Sequence, residues 1–200
     1  MSDQALKDVK KDIYLMIHKA DQMLELAEDA FMKSRLTALD EAREIAREIK
    51  VKEDLLTEKL AKEAGTNMEA RAILAAPVHI EKIAVSIERI MDNIRMKIQE
   101  GILFSDKAIQ ESGRMMAKGK EVLKKTGEAL VTGSASTADT VRKESDAMIR
   151  MSTEYATAHE ERLVTGECSP KSSSTYLCML YAFEDLASHS RDVLRKFTGK

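Results

Sequence analysis

Apolar residues recur at alternating steps of three and four along the N-terminal segment, and this spacing constrains the fold more than any other feature. The series begins with Leu6, Val9, Ile13, Met16 and Ala20. Such spacing places the side chains on one stripe of an α-helix, the stripe that packs against neighbouring helices in a bundle. A strand would instead require alternation with a period of two. The pattern therefore predicts a helix over residues 3–34.

The same spacing returns in later segments, and Gly, Pro and capping residues predict where helices end and begin. Gly65 fits a left-handed C-terminal cap, and Thr66 with Glu69 forms a capping-box pattern for the next helix. Pro77 either kinks that helix or marks its true start, and Gly101 ends it. The further helices are predicted over roughly 39–64, 66–101, 105–131, 138–164 and from 170 onward.

Small residues interrupt the pattern in the second half of the chain. Three glycines lie within the fourth predicted helix: Gly113, Gly119 and Gly127. Each either weakens the helix or permits the close approach of a neighbouring helix, and the sequence leaves both interpretations open. The segment 132–137 is predicted to be a linker. Ser169 followed by Pro170 is typical of a helix start, with a hydroxyl at the N-cap and proline at the first helical position.

The composition excludes several classes of protein. Two Pro, eight Gly and 4% aromatic residues in 200 are too few for the many turns and strands of a β-sandwich. A net charge of −2 lacks the basic footprint of a nucleic-acid-binding protein. The apolar run at 72–78 is too short to span a membrane, and the N-terminus shows no signal peptide. Cys168 and Cys178 fit neither a metal motif nor a disulfide framework, so we expect a cytoplasmic chain whose cysteines are reduced. The sequence assigns no role to either cysteine.

The chain divides into three helices followed by three more. An offset of 96 places Ile83 over Met179 and Ile87 over Phe183, and an offset of 103 works comparably, so the register of the repeat stays open. We predict an all-α protein of six helices, built from two pseudo-repeated antiparallel three-helix bundles. The predicted boundaries are 1–101 and 102–200.

Few residues suggest chemistry. Glu88 and Asp92 are one turn apart and share a helix face, where they form either a cation-binding pair or an ordinary solvated acidic pair. The HExxH, Glu-x-x-His and phosphate-loop patterns are absent from the sequence. The four histidines, which include His18 and His79, are far apart in the sequence. No nucleophile, base and orienting group are evident together, so we expect a protein that is not an enzyme.

Two segments carry a family resemblance. Residues 82–92, with Ile83-Ala84 followed by Glu88-Arg89-Ile90-Met91-Asp92, resemble the signature helix of the PhoU family. The second half resembles the PhoU-like domain at the C-terminus of bacterial sodium/phosphate cotransporters. Its matching segments are 159–163, 166–170, 174–177 and 183–189.

The resemblance implies a fold and a function. It implies two three-helix bundles and a cytoplasmic regulator of phosphate uptake. Such a regulator acts by protein–protein contact with a phosphate transporter component or a sensor histidine kinase, and reaches the membrane only through that partner. The resemblance also implies iron or zinc at Glu-x-x-x-Asp pairs. It places metal ligands at Glu88, Asp92 and Glu184, although Ser188 stands where the second pair would have its aspartate.

Two alternative functions stay open at this point. One is a metal-binding helical protein that uses the carboxylate face. The other is a helical scaffold or oligomerisation module, such as a homodimer, that associates through methionine-rich faces. The methionines predicted to form those faces are Met115, Met116, Met148 and Met151.

Overall fold

A computed structural model describes the backbone of residues 3–198 and the side chains of 4–195, so the outermost residues of the two predicted repeats lie outside it. Within the described part every regular element is a helix and there are no strands, so the all-α prediction is confirmed. The helices are α1 (Asp3–Lys33), α2 (Leu36–Glu63), α3 (Met68–Ile73), α4 (Ala76–Gln99), α5 (Asp106–Thr132), α6 (Ala135–Val164) and α7 (Pro170–Thr198).

The six long helices pack as two groups of three. Helices α1, α2 and α4 contact one another, and so do α5, α6 and α7. The two groups are joined by α4 against α7, the most extensive helix pairing in the molecule, and by α1 against α5. One continuous set of buried apolar side chains runs through both groups. The predicted boundary at 101/102 falls in the connection between α4 and α5, and the division into two domains stays a prediction.

The first bundle is built on the apolar stripes that the sequence shows. On α4 the isoleucines at 80, 83, 87, 90 and 94 have no exposed surface, and Val9 and Ile13 of α1 are equally buried. Burial of one such side chain contributes roughly 1.5–3 kcal/mol relative to leaving it exposed. Packing of amphipathic stripes, rather than helix propensity, therefore holds these helices in place.

The helix start predicted at Thr66 is wrong by one residue, and the helix that follows is shorter than predicted. The N-cap is Asn67, whose side-chain oxygen accepts hydrogen bonds from the backbone N–H groups of Glu69 and Ala70. The carboxamide of Asn67 therefore provides the cap that the Thr66 hydroxyl was expected to provide. The resulting α3 ends at Ile73, and Pro77 lies in the first turn of α4. Of the two alternatives for Pro77, the structure shows the true start of a helix.

The predicted starts of α5 and α7 lie within one residue of the observed ones, whereas α2 and α6 each begin three residues earlier than predicted. Ser105 caps α5, and the Ser169 hydroxyl accepts a hydrogen bond from the Ser172 N–H at the start of α7. The predicted linker at 132–137 is wrong for most of its length. Gly133 takes a left-handed conformation with φ of 62°, and Ser134 caps α6 immediately afterwards. Capping by Ser134 turns the Ser/Thr-rich segment into the first turn of a helix.

The glycines of α5 have different surroundings. A Cβ added to Gly119 would lie 2.9 Å from Leu24 Cδ2, and one added to Gly127 would lie 3.2 Å from Tyr14 Cε2. A Cβ added to Gly113 would meet nothing within 4 Å. Two of the three glycines therefore allow α5 to approach α1 closely.

Among residues 3–198, no helix combines the length and the apolarity that crossing a bilayer requires.

Candidate functional sites

The predicted acidic pair lies on the side of α4 that faces α2. Asp92 is exposed and forms an ion pair with Arg43 of α2. Glu88 is half-buried, and its pKa is raised, first by burial and then by the negative charge of Asp92, while Arg43 and Arg47 act in the opposite direction. The carboxylate of Asp92 therefore already has a cationic partner, and Glu88 is biased toward its protonated form.

The third predicted ligand, Glu184, lies half-buried on α7, in the other bundle. In the part of the chain whose side chains are described, Glu88, Asp92 and Glu184 do not form a group of three ligand atoms within 4.8 Å of one another. A symmetric second pair also lacks its aspartate, since position 188 is serine. The iron or zinc site at these carboxylates stays a prediction. The described side chains do not bring a third ligand close to Glu88 and Asp92.

The second bundle contains a buried polar network that the sequence analysis did not find. Arg162 of α6 donates two hydrogen bonds to the Glu111 carboxylate of α5, at 3.1 and 2.7 Å. The Tyr176 hydroxyl of α7 donates a third, at 2.6 Å. Burial, followed by the hydrogen bond with Glu111, raises the pKa of Tyr176, so its hydroxyl remains a donor. One carboxylate thus joins the three helices of the bundle.

Further polar contacts lie beside this network, in the part of the second half that resembles the PhoU-like domain. His159 Nε2 lies 2.9 Å from Ser173 Oγ, and its ring packs on that of Tyr176 at a centroid distance of 4.8 Å. The backbone N–H groups of Glu167 and Cys168 both donate to the carbonyl of Arg162. The motif from His159 to Pro170 therefore fixes the connection between α6 and α7. It is a structural element of the bundle.

One signal could have revealed Glu111. It stands three residues after Ala108 and four before Met115, at the spacing of core-facing positions, and a glutamate at such a position requires a buried partner. Its partner Arg162 is 51 residues away in sequence. The sequence therefore marks the buried charge without showing the group that neutralises it.

The predicted methionine-rich association faces are wrong. Met115, Met116 and Met148 have no exposed surface, and Met151 packs against the same core. The flexible thioether side chains contribute to the continuous core, a common use of methionine in irregular cores. The three fully buried methionines are not available to pair subunits.

The outer face of α2 carries a different kind of surface. Val51 and Leu55 are one turn apart and 61% and 58% exposed. Among the residues with described side chains, they are the only exposed large apolar pair at helical spacing. Charged side chains flank them along a shallow groove between α1 and α2, namely Lys19, Glu44, Arg47, Glu48 and Lys52.

No family model and no curated protein sequence matches the chain. Two solved structures share its fold over almost their whole length. PhoU from Pseudomonas aeruginosa is 16% identical, with a TM-score of 0.86 over 98% of this chain and 97% of that one. The phosphate transport system regulatory protein PhoU from Streptococcus pneumoniae is 12% identical, with a TM-score of 0.85 over 99% and 97%. The chain therefore has the PhoU fold.

Proposed function

We propose that this chain is a non-enzymatic regulator of phosphate uptake, which acts by protein–protein contact at the cytoplasmic side of a phosphate transporter or a sensor histidine kinase. The observation that carries the proposal is the agreement of the whole chain, in both bundles, with a protein described as a phosphate transport system regulator. A partial match could reflect a common helical bundle alone. Agreement over 99% of the chain includes the pairing of the two bundles.

The outer face of α2 is the surface that we assign to the partner. An exposed pair of aliphatic side chains, with charged residues around it, matches the general character of a protein–protein contact with an apolar centre and a polar rim. Helix α2 packs against α1, α4 and the short α3, and the side that carries Val51 and Leu55 is exposed. The buried methionines remove the surface on which the scaffold alternative depended.

The first experiment tests the pathway. A strain that lacks the gene should show altered uptake of radiolabelled phosphate, and restoration of the full chain should return uptake to its original level. The tagged full chain should capture a phosphate transporter component or a sensor histidine kinase from solubilised native membranes. Unchanged uptake together with capture of neither partner would overturn the proposal.

The second experiment tests the surface. The double substitution Val51→Glu/Leu55→Glu should abolish capture and fail to restore uptake, because it places two negative charges in the apolar centre of the contact. The matched control is Val131→Glu, at the end of α5, where the side chain is 66% exposed. Equal loss with the control, or normal capture with the double variant, would exclude the α2 face while leaving the pathway to the first experiment.

A further inference from the structure

Two histidines that are distant in sequence meet where α4 packs against α7. His79 lies in the first turn of α4, and His189 and Asp192 lie one turn apart on α7. The His79 and His189 rings have a centroid distance of 5.8 Å, and His79 Nδ1 lies 3.9 Å from Asp192 Oδ2. One ligand atom from each of the three residues falls within 4.8 Å of the others. Among residues 4–195, this is the only such group of three.

The surroundings of the His189 imidazole suit a metal ligand. All three side chains are half-buried, between open solvent and the packed seam. The Nδ1 atom of His189 is buried and lacks a hydrogen-bond partner in the described part of the chain. Histidine binds a metal through a ring nitrogen that is not used in another hydrogen bond.

The two oxygens of Asp192 have separate neighbours. Oδ2 faces His79, whereas Oδ1 lies 3.6 Å from the guanidinium of Arg195. Arg195 is mostly exposed, and an exposed ion pair of this kind holds its partner weakly. Oδ2 is therefore available to a cation. Arg195 would act on the other oxygen as an outer-shell group that orients a ligating carboxylate.

We propose that His79, His189 and Asp192 bind one divalent transition-metal ion, with Zn²⁺ as the ion of choice. Two imidazoles and one carboxylate form a three-ligand set that Zn²⁺ accepts, with water at the fourth position. Ligand atoms on tetrahedral Zn²⁺ lie about 3.3 Å apart, so small side-chain rotations suffice to close the observed spacing. The site is distinct from the acidic pair of Glu88 and Asp92, which faces α2.

The site lies on the seam between the two bundles, so a bound ion would join one bundle to the other. A ligand that binds only the folded chain stabilises it in proportion to the logarithm of its concentration. Zn²⁺ should therefore raise the thermal midpoint of the whole protein. The inference rests on the seam alone and does not depend on the proposed role in phosphate uptake.

The test uses the full chain after removal of metal with a chelator. Zn²⁺ is titrated in competition with a chromophoric chelator, and thermal unfolding is followed with and without Zn²⁺. We expect one tight site per chain and a higher thermal midpoint. Substitution of His189 by alanine should weaken binding about tenfold or more and abolish the thermal shift. The matched control His18→Ala, at an exposed histidine of α1, should bind as the unsubstituted chain does.

A second pair of variants keeps the test decisive. Asp192→Asn preserves the size of the side chain and should also weaken Zn²⁺ binding, which covers the case in which His189→Ala fails to fold. Glu88→Gln/Asp92→Asn should leave the tight site intact. Absence of a tight Zn²⁺ site in the unsubstituted chain would overturn the proposal. So would a site that survives His189→Ala and Asp192→Asn, or one that disappears with the acidic pair.

Discussion

The two bundles have the same plan but different cores. In the first, the buried side chains of α1, α2 and α4 are apolar apart from Glu53 and Ser86, within the described residues. In the second, the core also contains a set of polar and charged side chains: Glu111, Ser112, Thr126, Ser145, Ser152, His159, Arg162, Ser172, Ser173, Thr175 and Ser190. An apolar core gains stability in proportion to its buried area. A buried charge pair gives little net stability but makes its own disruption costly.

The largest effect should come from breaking the charge pair of the second bundle. Glu111→Leu leaves the Arg162 guanidinium buried without its carboxylate and should lower the free energy of unfolding by about 3–5 kcal/mol. Equilibrium urea denaturation measures the change. The matched control is the triple variant Glu111→Leu/Arg162→Met/Tyr176→Phe, which removes every member of the network and should be more stable than Glu111→Leu. A single variant as stable as the unsubstituted chain would show that the network is not buried as described.

In the first bundle, the loss of stability should depend on how many buried apolar atoms a substitution removes, and not on charge. Ile87→Ala removes apolar atoms from a fully buried position and should lower the free energy of unfolding by about 2–5 kcal/mol, depending on how far the cavity collapses. Val85→Ala, on the exposed side of the same helix, should change it by less than about 0.5 kcal/mol. Equal effects in the two variants, again by urea denaturation, would contradict the assigned faces of α4.

Two glycines of α5 should respond in opposite directions to the same substitution. Gly119→Ala places a methyl group against Leu24 and Met148 and should destabilise the protein by about 1–2 kcal/mol. Gly113→Ala meets open space in a helix and should stabilise it by roughly 0.5–1 kcal/mol. Thermal midpoints of the two variants decide the matter. Stabilisation in both would mean that the contact of α5 with α1 is looser than the structure shows.

The smallest effect is a pH dependence that arises in the second bundle. Burial, followed by the charge of Arg162, lowers the pKa of His159, so the unfolded chain binds a proton at a higher pH than the folded chain does. Stability should therefore decline as the pH falls below about 6.5, the ordinary pKa of histidine. His159→Gln should reduce this decline, because it removes the titrating imidazole. Urea midpoints between pH 8 and pH 5.5 measure it, and an undiminished decline in His159→Gln would refute the assignment.

Much of the fold follows from local patterns, which explains where the predictions succeeded. The stripe through Ile80 and Ile94 fixes one face of α4, and Ser169 with Pro170 fixes the start of α7. Both depend on residues within a few turns of one another. The errors at Thr66 and in the segment 132–137 were also local. In both places several neighbouring residues have side chains that can cap a helix, and the pattern alone does not show which of them is the N-cap.

The sites were harder to predict because their partners are distant in sequence. Glu111 meets Arg162 only when α5 and α6 pack, and His79 meets His189 only when the two bundles do. The spacing of Glu88 and Asp92 was visible, but the ion pair between Asp92 and Arg43 was not. The scaffold alternative required the methionines to lie on the surface, and position within a stripe does not show how many helices surround a side chain. Side chains such as Met115 and Met148 are covered on every side.

The position of α1 affects how the chain can fold during synthesis. Helix α1 contacts α2 and α4 of its own bundle, and it also lies against α5, with Leu24 beside Gly119 and Tyr14 beside Gly127. Helix α1 leaves the ribosome before α5 and therefore keeps part of its apolar surface uncovered until residues beyond 127 have emerged. Domains generally fold as units as they emerge, and exposed apolar surface favours aggregation in the meantime. The apolar surface of the first bundle should thus be fully covered only after α5 has packed against α1. A nascent chain that stalls before α5 should be a substrate for chaperones.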